Sequence, residues 1–252
     1  MFWLFVQLIA ILRFVVVELP QRIAAMAACA VLAAVMWIYR RHHSHRAITG
    51  GEVAETILRG NGLRTQLGVA GGWLSDQYQP DKDMVVLSER VFHGTTLGAL
   101  GVAAHEAGHA LQANRLLSTW WPMRLWSPFG GLGLGLCFGA WMIGSVLEDQ
   151  RWLLAALACF GAYLLFLLLQ LVCEADASRL AVRELLRHGL VDRAESRVAR
   201  RVLRSALATY VAAFAASLLA LAVLTPGIAW NEAAEHARPV LDSIRGYLPS
   251  LN

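Results

Sequence analysis

Residues 97–113 read LGALGVAAHEAGHALQA, and this stretch decides both the central element of the fold and the chemistry to look for. Thr95 or Thr96 can cap a helix, and the apolar and small residues that follow predict one running to about Asn114. The many small residues would seat this helix against other packed elements. Within it, residues 105–109 form an H-E-x-x-H motif. Residues four apart share a helix face, so the two imidazoles can hold one metal ion.

The spacing assigns a role to each residue of the motif. His105 and His109 are the predicted ligands of one Zn²⁺ ion, and Glu106 can reach a water bound to that ion. Zinc lowers the pKa of such water to about 7, so Glu106 can take its proton and later deliver it to a leaving amine. The pattern also occurs by chance on solvated helices, but the small-residue context favours the zinc site.

A catalytic zinc site needs a third protein ligand. Position 115 is arginine, so the extended pattern with a third histidine fails. Glu174 and Asp176 follow directly after a long apolar run, where a charge is costly without a partner. Two residues differ by about 200° on a helix, so both cannot face one ion. Asp176 can instead pair with Arg179, an explanation that suits Glu174 less well, or it can support a ligand histidine from behind the metal site. His188 is the next candidate if neither carboxylate serves.

Membrane spans are predicted from composition. The chain is 57% hydrophobic and only 16% charged, whereas soluble domains carry about 25% charged residues. Strong apolar runs, each of a length that can cross a bilayer, cover 23–39, 129–147, 152–173 and 206–224. A further run at 1–19 contains Arg13 and can span, re-enter or lie at the interface. The four cysteines lie in apolar segments without a CxxC pair and are interpreted as packing residues.

Details of the second run predict how it enters the membrane and packs. Tryptophans favour the headgroup level, and three of them stand just before the run at positions 120, 121 and 126. Glycines at 131, 135 and 139 recur every four residues and predict a smooth face for close packing against another helix.

Arginines predict the orientation. They cluster at the ends of the spans that would share one side, whereas the turn at 148–151 carries one arginine against two acidic residues. By the positive-inside rule the basic side is the cytoplasm, so the chain is expected in the inner membrane with its polar segment and active site facing the cytoplasm. The basic flank with histidines at 42, 43 and 45 is interpreted as a solvated membrane-surface segment.

The polar segment has its own pattern. Residues 52–59 predict a helix ended by Asn61-Gly62, and residues 73–78 and 84–87 predict two strands around a turn. Ser88 can cap a short helix over 89–92. Residues 84–87 could bind an extended substrate along a free strand edge, or the hairpin could simply pack on the helix.

The predicted fold is therefore mainly α: a multi-pass helical membrane protein with a small cytoplasmic α+β zincin-like domain. Its predicted parts are an N-terminal anchor (1–46), the zincin-like domain (49–123), a transmembrane hairpin (127–173), an Arg-rich cytoplasmic helical segment (174–205), a last transmembrane helix (206–226) and a polar tail (227–252).

Separated motifs carry a resemblance to a known family. Tyr78-Gln-Pro, residues 86–89 (VLSE), residues 99–112 (ALGVAAHEAGHALQ) and residues 174–179 (EADASR) occur in order. Together they resemble the bacterial membrane-anchored neutral zinc metallopeptidases called YugP-like, over about residues 50–213. The resemblance implies Glu174 as the third ligand beside His105 and His109, with Glu106 as the base.

The expected activity is hydrolysis of peptide bonds in protein or peptide substrates, in contact with the lipid bilayer and without nucleic acid. Two rivals are an intramembrane-cleaving metalloprotease and a non-enzymatic, zinc-stabilised membrane scaffold or chaperone. No Leu-Asp-Gly motif appears in a later span, which disfavours the first. A structural zinc site has no use for a general base such as Glu106, which disfavours the second.

Overall fold

A computed structural model describes residues 42–72, 75–147 and 149–224, together with scattered helical positions between 19 and 34. The predicted N-terminal runs lie largely outside these residues, and so does the predicted tail at 227–252. The elements in chain order are α1 (Gly50–Gly60), β1 (Gln66–Ala70), β2 (Gln77–Gln79), a 3₁₀ turn (Pro80–Lys82), β3 (Met84–Ser88), α2 (Glu89–Phe92), α3 (Leu97–Ala113), α4 (Trp120–Leu147), α5 (Gln150–Arg187) and α6 (Arg193–Leu224).

Local signals start and stop the short elements where the sequence predicts. A reciprocal capping box between Thr49 and Glu52 begins α1, and Asn61 and Gly62 follow its last residue. Ser88 caps α2 through the backbone N–H of Val91. Of the two threonines proposed for α3, Thr96 is the cap and accepts from the backbone N–H of Ala99 at 3.2 Å.

A three-stranded sheet stands beside these helices, in the order β1-β3-β2. β3 pairs in parallel with β1 and in antiparallel with β2. A hairpin is therefore present as predicted, but its first strand is Gln77–Gln79, not the predicted 73–78, of which residues 73 and 74 lie outside the described residues. The interpretation of residues 84–87 as a free edge for substrate is wrong, because β3 has a partner on both sides. Of the described strands, the two at the edges of the sheet are β1, which was not predicted, and the three-residue β2.

The helix with the H-E-x-x-H motif lies at the centre of the core. Ala103, Ala104, Ala107 and Ala110 are all fully buried. Their small side chains let α1, α5 and α6 approach α3 from different sides. The central position of α3 is what brings residues from later helices next to its histidines.

Three helices of the described chain are long and apolar enough to cross a membrane by length and composition: Trp120–Gly144, Gln150–Arg187 and Arg193–Leu219. Helix α4 begins well before the predicted run at 129 and contains Pro128. Helix α5 continues without a break past Glu174 to Arg187, so the apolar run and the following polar segment form one rod.

The packing of α4 on α5 corrects the predicted glycine face. Among the described residues, a Cβ atom added at Gly135 or Gly139 would meet nothing within 4 Å, and the surroundings of Gly131 lie outside them. The close approaches to α5 occur at other glycines: Gly130 against Phe166, Gly133 against Tyr163 and Gly144 against Leu153. Spacing alone identified a helix rich in small residues but not the face that packs.

Candidate metal centre

Two histidines and one carboxylate converge where α3 meets α5. Nε2 of His105 lies 3.1 Å from Oε2 of Glu174, and Nε2 of His109 lies 3.6 Å from the same oxygen. One ligand atom from each side chain can be chosen so that all lie within 4.8 Å of one another. Ligand atoms at zinc distances from a tetrahedral centre are about 3.3–3.5 Å apart. The donor set and its spacing therefore fit a single zinc ion.

The approach of the two helices depends on a residue inside the motif. A Cβ atom at Gly108 would come within 2.9 Å of the carbonyl oxygen of Ala177. Such a contact is shorter than packed atoms tolerate, so glycine is required for the backbones to pass this closely. Gly108 stands between the two histidines in sequence, and Ala177 follows Glu174 by three residues, so this contact sets the separation of the donor atoms.

Behind His109 lies a buried amide. Oε1 of Gln112 is 3.0 Å from Nδ1 of His109. Nε2 of Gln112 donates to the carbonyl oxygen of Cys173 at 3.0 Å and to Oδ2 of Asp176 at 2.8 Å. It also lies 3.1 Å from Oγ1 of Thr119, which itself donates to Asp176 at 3.3 Å. Gln112 is completely buried, so these contacts satisfy it without solvent.

The structure therefore separates the two candidate third ligands. Glu174 faces the histidines, whereas Asp176 is held by Gln112 and Thr119 on the far side of His109. Arg179, proposed as its partner, is exposed. His188 directly follows the last residue of α5, where its Nε2 is 3.4 Å from Glu184.

His105, the other predicted histidine ligand, also has a neighbour on α5: Oγ of Ser178 lies 3.3 Å from Nδ1 of His105.

Glu106 is buried beside this cluster with 8% of its surface exposed. Burial raises the pKa of its carboxyl, because the charged form loses solvation, while the charges of His105 and His109 act in the opposite direction. Glu174 and Asp76 add to the rise. A raised pKa makes the ionised carboxylate a stronger base, which suits a group that must accept a proton from water.

His109 carries a pKa raised well above its ordinary value. Burial by itself lowers the pKa of this imidazole, but its interactions with Cys173 and Glu174 and the charge of Glu106 outweigh that effect. A raised pKa favours the protonated imidazole, and that proton competes with a cation for the ring nitrogen.

Aromatic side chains close one side of the site. The ring of Trp120 lies 5.7 Å from that of His109 and 5.7 Å from that of Tyr78, measured between centroids, and Trp120 is 8% exposed. Trp120 is thus buried inside the protein, whereas its neighbour Trp121 is 45% exposed. The predicted position of these tryptophans at the membrane headgroups stays a prediction. From α6, Tyr210 brings its hydroxyl against the carboxylate of Glu174.

The residues at the centre of the cluster were predicted from the sequence, whereas several of those around them were not. Gln112, Trp120, Ser178 and Tyr210 were not recognised. Gln112 lies three residues after His109 on the same helix face, a signal that was available. Tyr210 lies on a different helix from all the motif residues, and nothing local in its sequence marks it.

Comparisons with known proteins add the following. A family profile described as "Putative neutral zinc metallopeptidase" matches residues 14–226. A protein of Bacillus subtilis (strain 168) named "Putative membrane protease YugP" is 31% identical over 184 residues, which cover 73% of this chain and 82% of that protein. No solved structure matches the chain.

Proposed function

The chain belongs to the family described as "Putative neutral zinc metallopeptidase", and on this premise we propose that it is a zinc-dependent metallopeptidase that hydrolyses peptide bonds at the cytoplasmic surface of a membrane. The observation that carries the proposal is the convergence of His105, His109 and Glu174 beside the buried carboxyl of Glu106. Two imidazoles, one carboxylate and a neighbouring base are the donor set and the acid–base group of hydrolytic zinc sites.

Each residue has a defined task in this proposal. His105, His109 and Glu174 would hold a zinc ion, which when bound would supply Lewis-acid chemistry: polarising a carbonyl group and lowering the pKa of water. Glu106 takes the proton from the attacking water and returns it to the leaving amine. Its burial supports this task, since the proton is then exchanged between nearby groups in a low-dielectric site.

Tyr210 is the best-placed donor for the substrate's carbonyl oxygen as negative charge develops there. Its hydroxyl lies against Glu174 and therefore at the edge of the metal centre. A phenol can donate to an oxyanion without carrying charge itself, and such donors stabilise the transition state most where water is excluded.

The proposed location rests on the long helices and on the distribution of arginine. Between 11% and 28% of the apolar windows of α4, α5 and α6 is buried inside the chain, so most of their surface must meet something apolar, which a bilayer provides. The α5–α6 connection and its flanks carry eight arginines, at positions 179, 183, 187, 193, 197, 200, 201 and 204. This supports placing that side, and the metal centre, in the cytoplasm. Substrates are then proteins or peptides at the membrane surface.

The test compares wild type with Glu106→Gln, using the full chain purified in detergent or nanodiscs. The variant should bind one zinc ion with wild-type stoichiometry, because all three ligands remain, and should lose peptide hydrolysis. His109→Ala is the matched control and should lose both. If Glu106→Gln hydrolyses peptides at the wild-type rate, the peptidase assignment to this site is wrong; if wild type binds zinc but cleaves no peptide, the scaffold alternative replaces it.

A further inference from the structure

The amide of Gln112 has its orientation fixed by α5. Its nitrogen faces the carbonyl oxygen of Cys173 and the carboxylate of Asp176, at 3.0 and 2.8 Å. Both groups act only as acceptors, so the NH₂ end of the amide must point toward them. Turning the amide over would place its oxygen against two other oxygens in a site that excludes solvent, which is strongly unfavourable.

The fixed amide in turn determines the protonation of the metal-binding histidine. With the NH₂ end facing α5, Oε1 of Gln112 faces Nδ1 of His109 at 3.0 Å. An amide oxygen can only accept, so Nδ1 must carry a hydrogen and donate it. The other nitrogen, Nε2, is then the one available to a metal, and it is the one that faces Glu174.

We propose that Gln112 is a positioning residue that transmits the orientation imposed by Asp176 and Cys173 to His109, selecting the tautomer and the ring angle that present Nε2 to the metal. The inference rests on the proposed function and deepens it. It also gives Asp176 a role without contact to the metal: a carboxylate two residues after Glu174 cannot face the ion, but it orients the ligand histidine through one intervening amide. Groups that hydrogen-bond to a metal-ligating histidine commonly fix its tautomer and its ring orientation in this way.

Six residues of α5, from Cys173 to Ser178, then organise the whole centre. Glu174 supplies a ligand, the carbonyl of Cys173 and the carboxylate of Asp176 orient His109 through Gln112, and Ser178 lies against Nδ1 of His105. Among the described residues, Gln112 and Ser178 lie within hydrogen-bond distance of the Nδ1 atoms of these histidines; Gln112 is held by the helix that carries the third ligand, and Ser178 belongs to it.

The first experiment measures zinc affinity by chelator competition on the purified full chain. Gln112→Met keeps the length and packing of the side chain but removes both hydrogen-bonding ends, and it should weaken zinc binding about 10- to 100-fold. Asp176→Leu should do the same, while Asp176→Asn should bind close to wild type because its amide oxygen can still accept from Gln112. Thr56→Val is the matched control: it also removes one threonine hydroxyl, but one that donates to the backbone carbonyl oxygen of Glu52 on α1, and it should change the affinity little.

A second readout follows the tautomer itself. In zinc-loaded protein labelled with ¹⁵N-histidine, the signal of His109 should show the hydrogen on Nδ1 and the metal on Nε2, and Gln112→Met should lose this preference. Equal zinc affinity of a folded Gln112→Met and wild type, or equal weakening in Asp176→Asn and Asp176→Leu, would overturn the positioning role. The asparagine–leucine pair decides the question if Gln112→Met does not fold. If wild type itself binds no zinc, the proposed function fails instead.

Discussion

Gly108 lies so close to Ala177 that a Cβ atom at residue 108 would be 2.9 Å from the carbonyl oxygen across the helix crossing. Replacing glycine by alanine inside a helix ordinarily stabilises it by about 0.8–1 kcal/mol. At residue 108 the added methyl group must instead push α3 away from α5, and overpacking of this kind costs about 1–3 kcal/mol.

Gly108→Ala should therefore lower the thermal unfolding temperature and weaken zinc binding by about tenfold or more, because His105 and His109 move away from Glu174. Gly135→Ala on α4 is the control, since a Cβ atom there meets nothing within 4 Å. It should leave both quantities unchanged or raise the unfolding temperature. If Gly108→Ala has the unfolding temperature and zinc affinity of wild type, the close contact of α3 with α5 does not determine the geometry of the metal centre.

Glu174→Ala and Asp176→Ala should differ in how much zinc they lose. Removing Glu174 deletes a ligand, whereas removing Asp176 only frees the Gln112 amide behind His109. We expect Asp176→Ala to weaken zinc binding about 10- to 100-fold and Glu174→Ala to weaken it more. The reverse order, measured by metal analysis after dialysis against a chelator, would exchange the two roles.

Tyr210→Phe should separate catalysis from metal binding. The substitution removes one hydroxyl, which lies against Glu174, and leaves the three ligands in place. Loss of a donor to the developing oxyanion should lower kcat about 100- to 1,000-fold with little change in KM or in zinc content. A fall in zinc content with unchanged turnover per bound zinc would show that Tyr210 only supports Glu174.

The orientation predicts which positions are accessible from outside the cell. On a cysteine-free background, Gln150→Cys should react with an impermeant thiol reagent in intact cells, and Lys82→Cys, which is exposed in the α+β part, should react only after permeabilisation. Labelling of position 82 in intact cells would invert the proposed topology and place the metal centre outside.

The capping box of α1 predicts a pH-dependent contribution to stability. The backbone N–H of Thr49, and then its side chain, hydrogen-bonds to Glu52 and lowers the pKa of that carboxyl. Because the pKa is lower in the folded state, the unfolded chain binds more protons at acidic pH. The contribution is present above the unfolded pKa and is lost as the pH falls through the folded value.

Thr49→Ala should accordingly cost about 1 kcal/mol at neutral pH, with the difference from wild type shrinking in acid. Unfolding temperatures of both proteins, compared at several pH values, check this. Thr56→Ala is the control, because its hydroxyl donates only to the Glu52 carbonyl within the helix. If the loss of stability in Thr49→Ala is the same at every pH, the cap stabilises α1 independently of the titration of Glu52.

Sequence patterns predicted the elements whose signals are local. Thr96, Ser88 and Asn61-Gly62 mark helix ends through hydrogen bonds to residues no more than four positions away, and the i, i+4 spacing of His105 and His109 places them on one face. Such local signals could not show which side chains from other helices pack around the metal centre. Trp120 was interpreted as a headgroup tryptophan because its neighbours are apolar, yet its ring packs between Tyr78 and His109.

The same distinction explains the errors in packing. Glycine spacing identified α4 as a close-packing helix, but the face it uses depends on where α5 lies, and that is a tertiary property. The free-edge interpretation of residues 84–87 failed because β1, which lacks a strong strand pattern, occupies one side of β3.

Because α5 is one continuous helix, a small change in its tilt moves Glu174 by a large distance. Its 38 residues extend for about 57 Å, and Glu174 lies about 36 Å from the start of the rod at Gln150. Pivoting the rod by 2° about that end would move the carboxylate sideways by about 1.3 Å, and a misplacement of about 1 Å is enough to disrupt a catalytic arrangement. A bilayer thinner or thicker than the apolar length of a helix favours a different tilt, so we expect the rate of hydrolysis to depend on the thickness of the lipid bilayer.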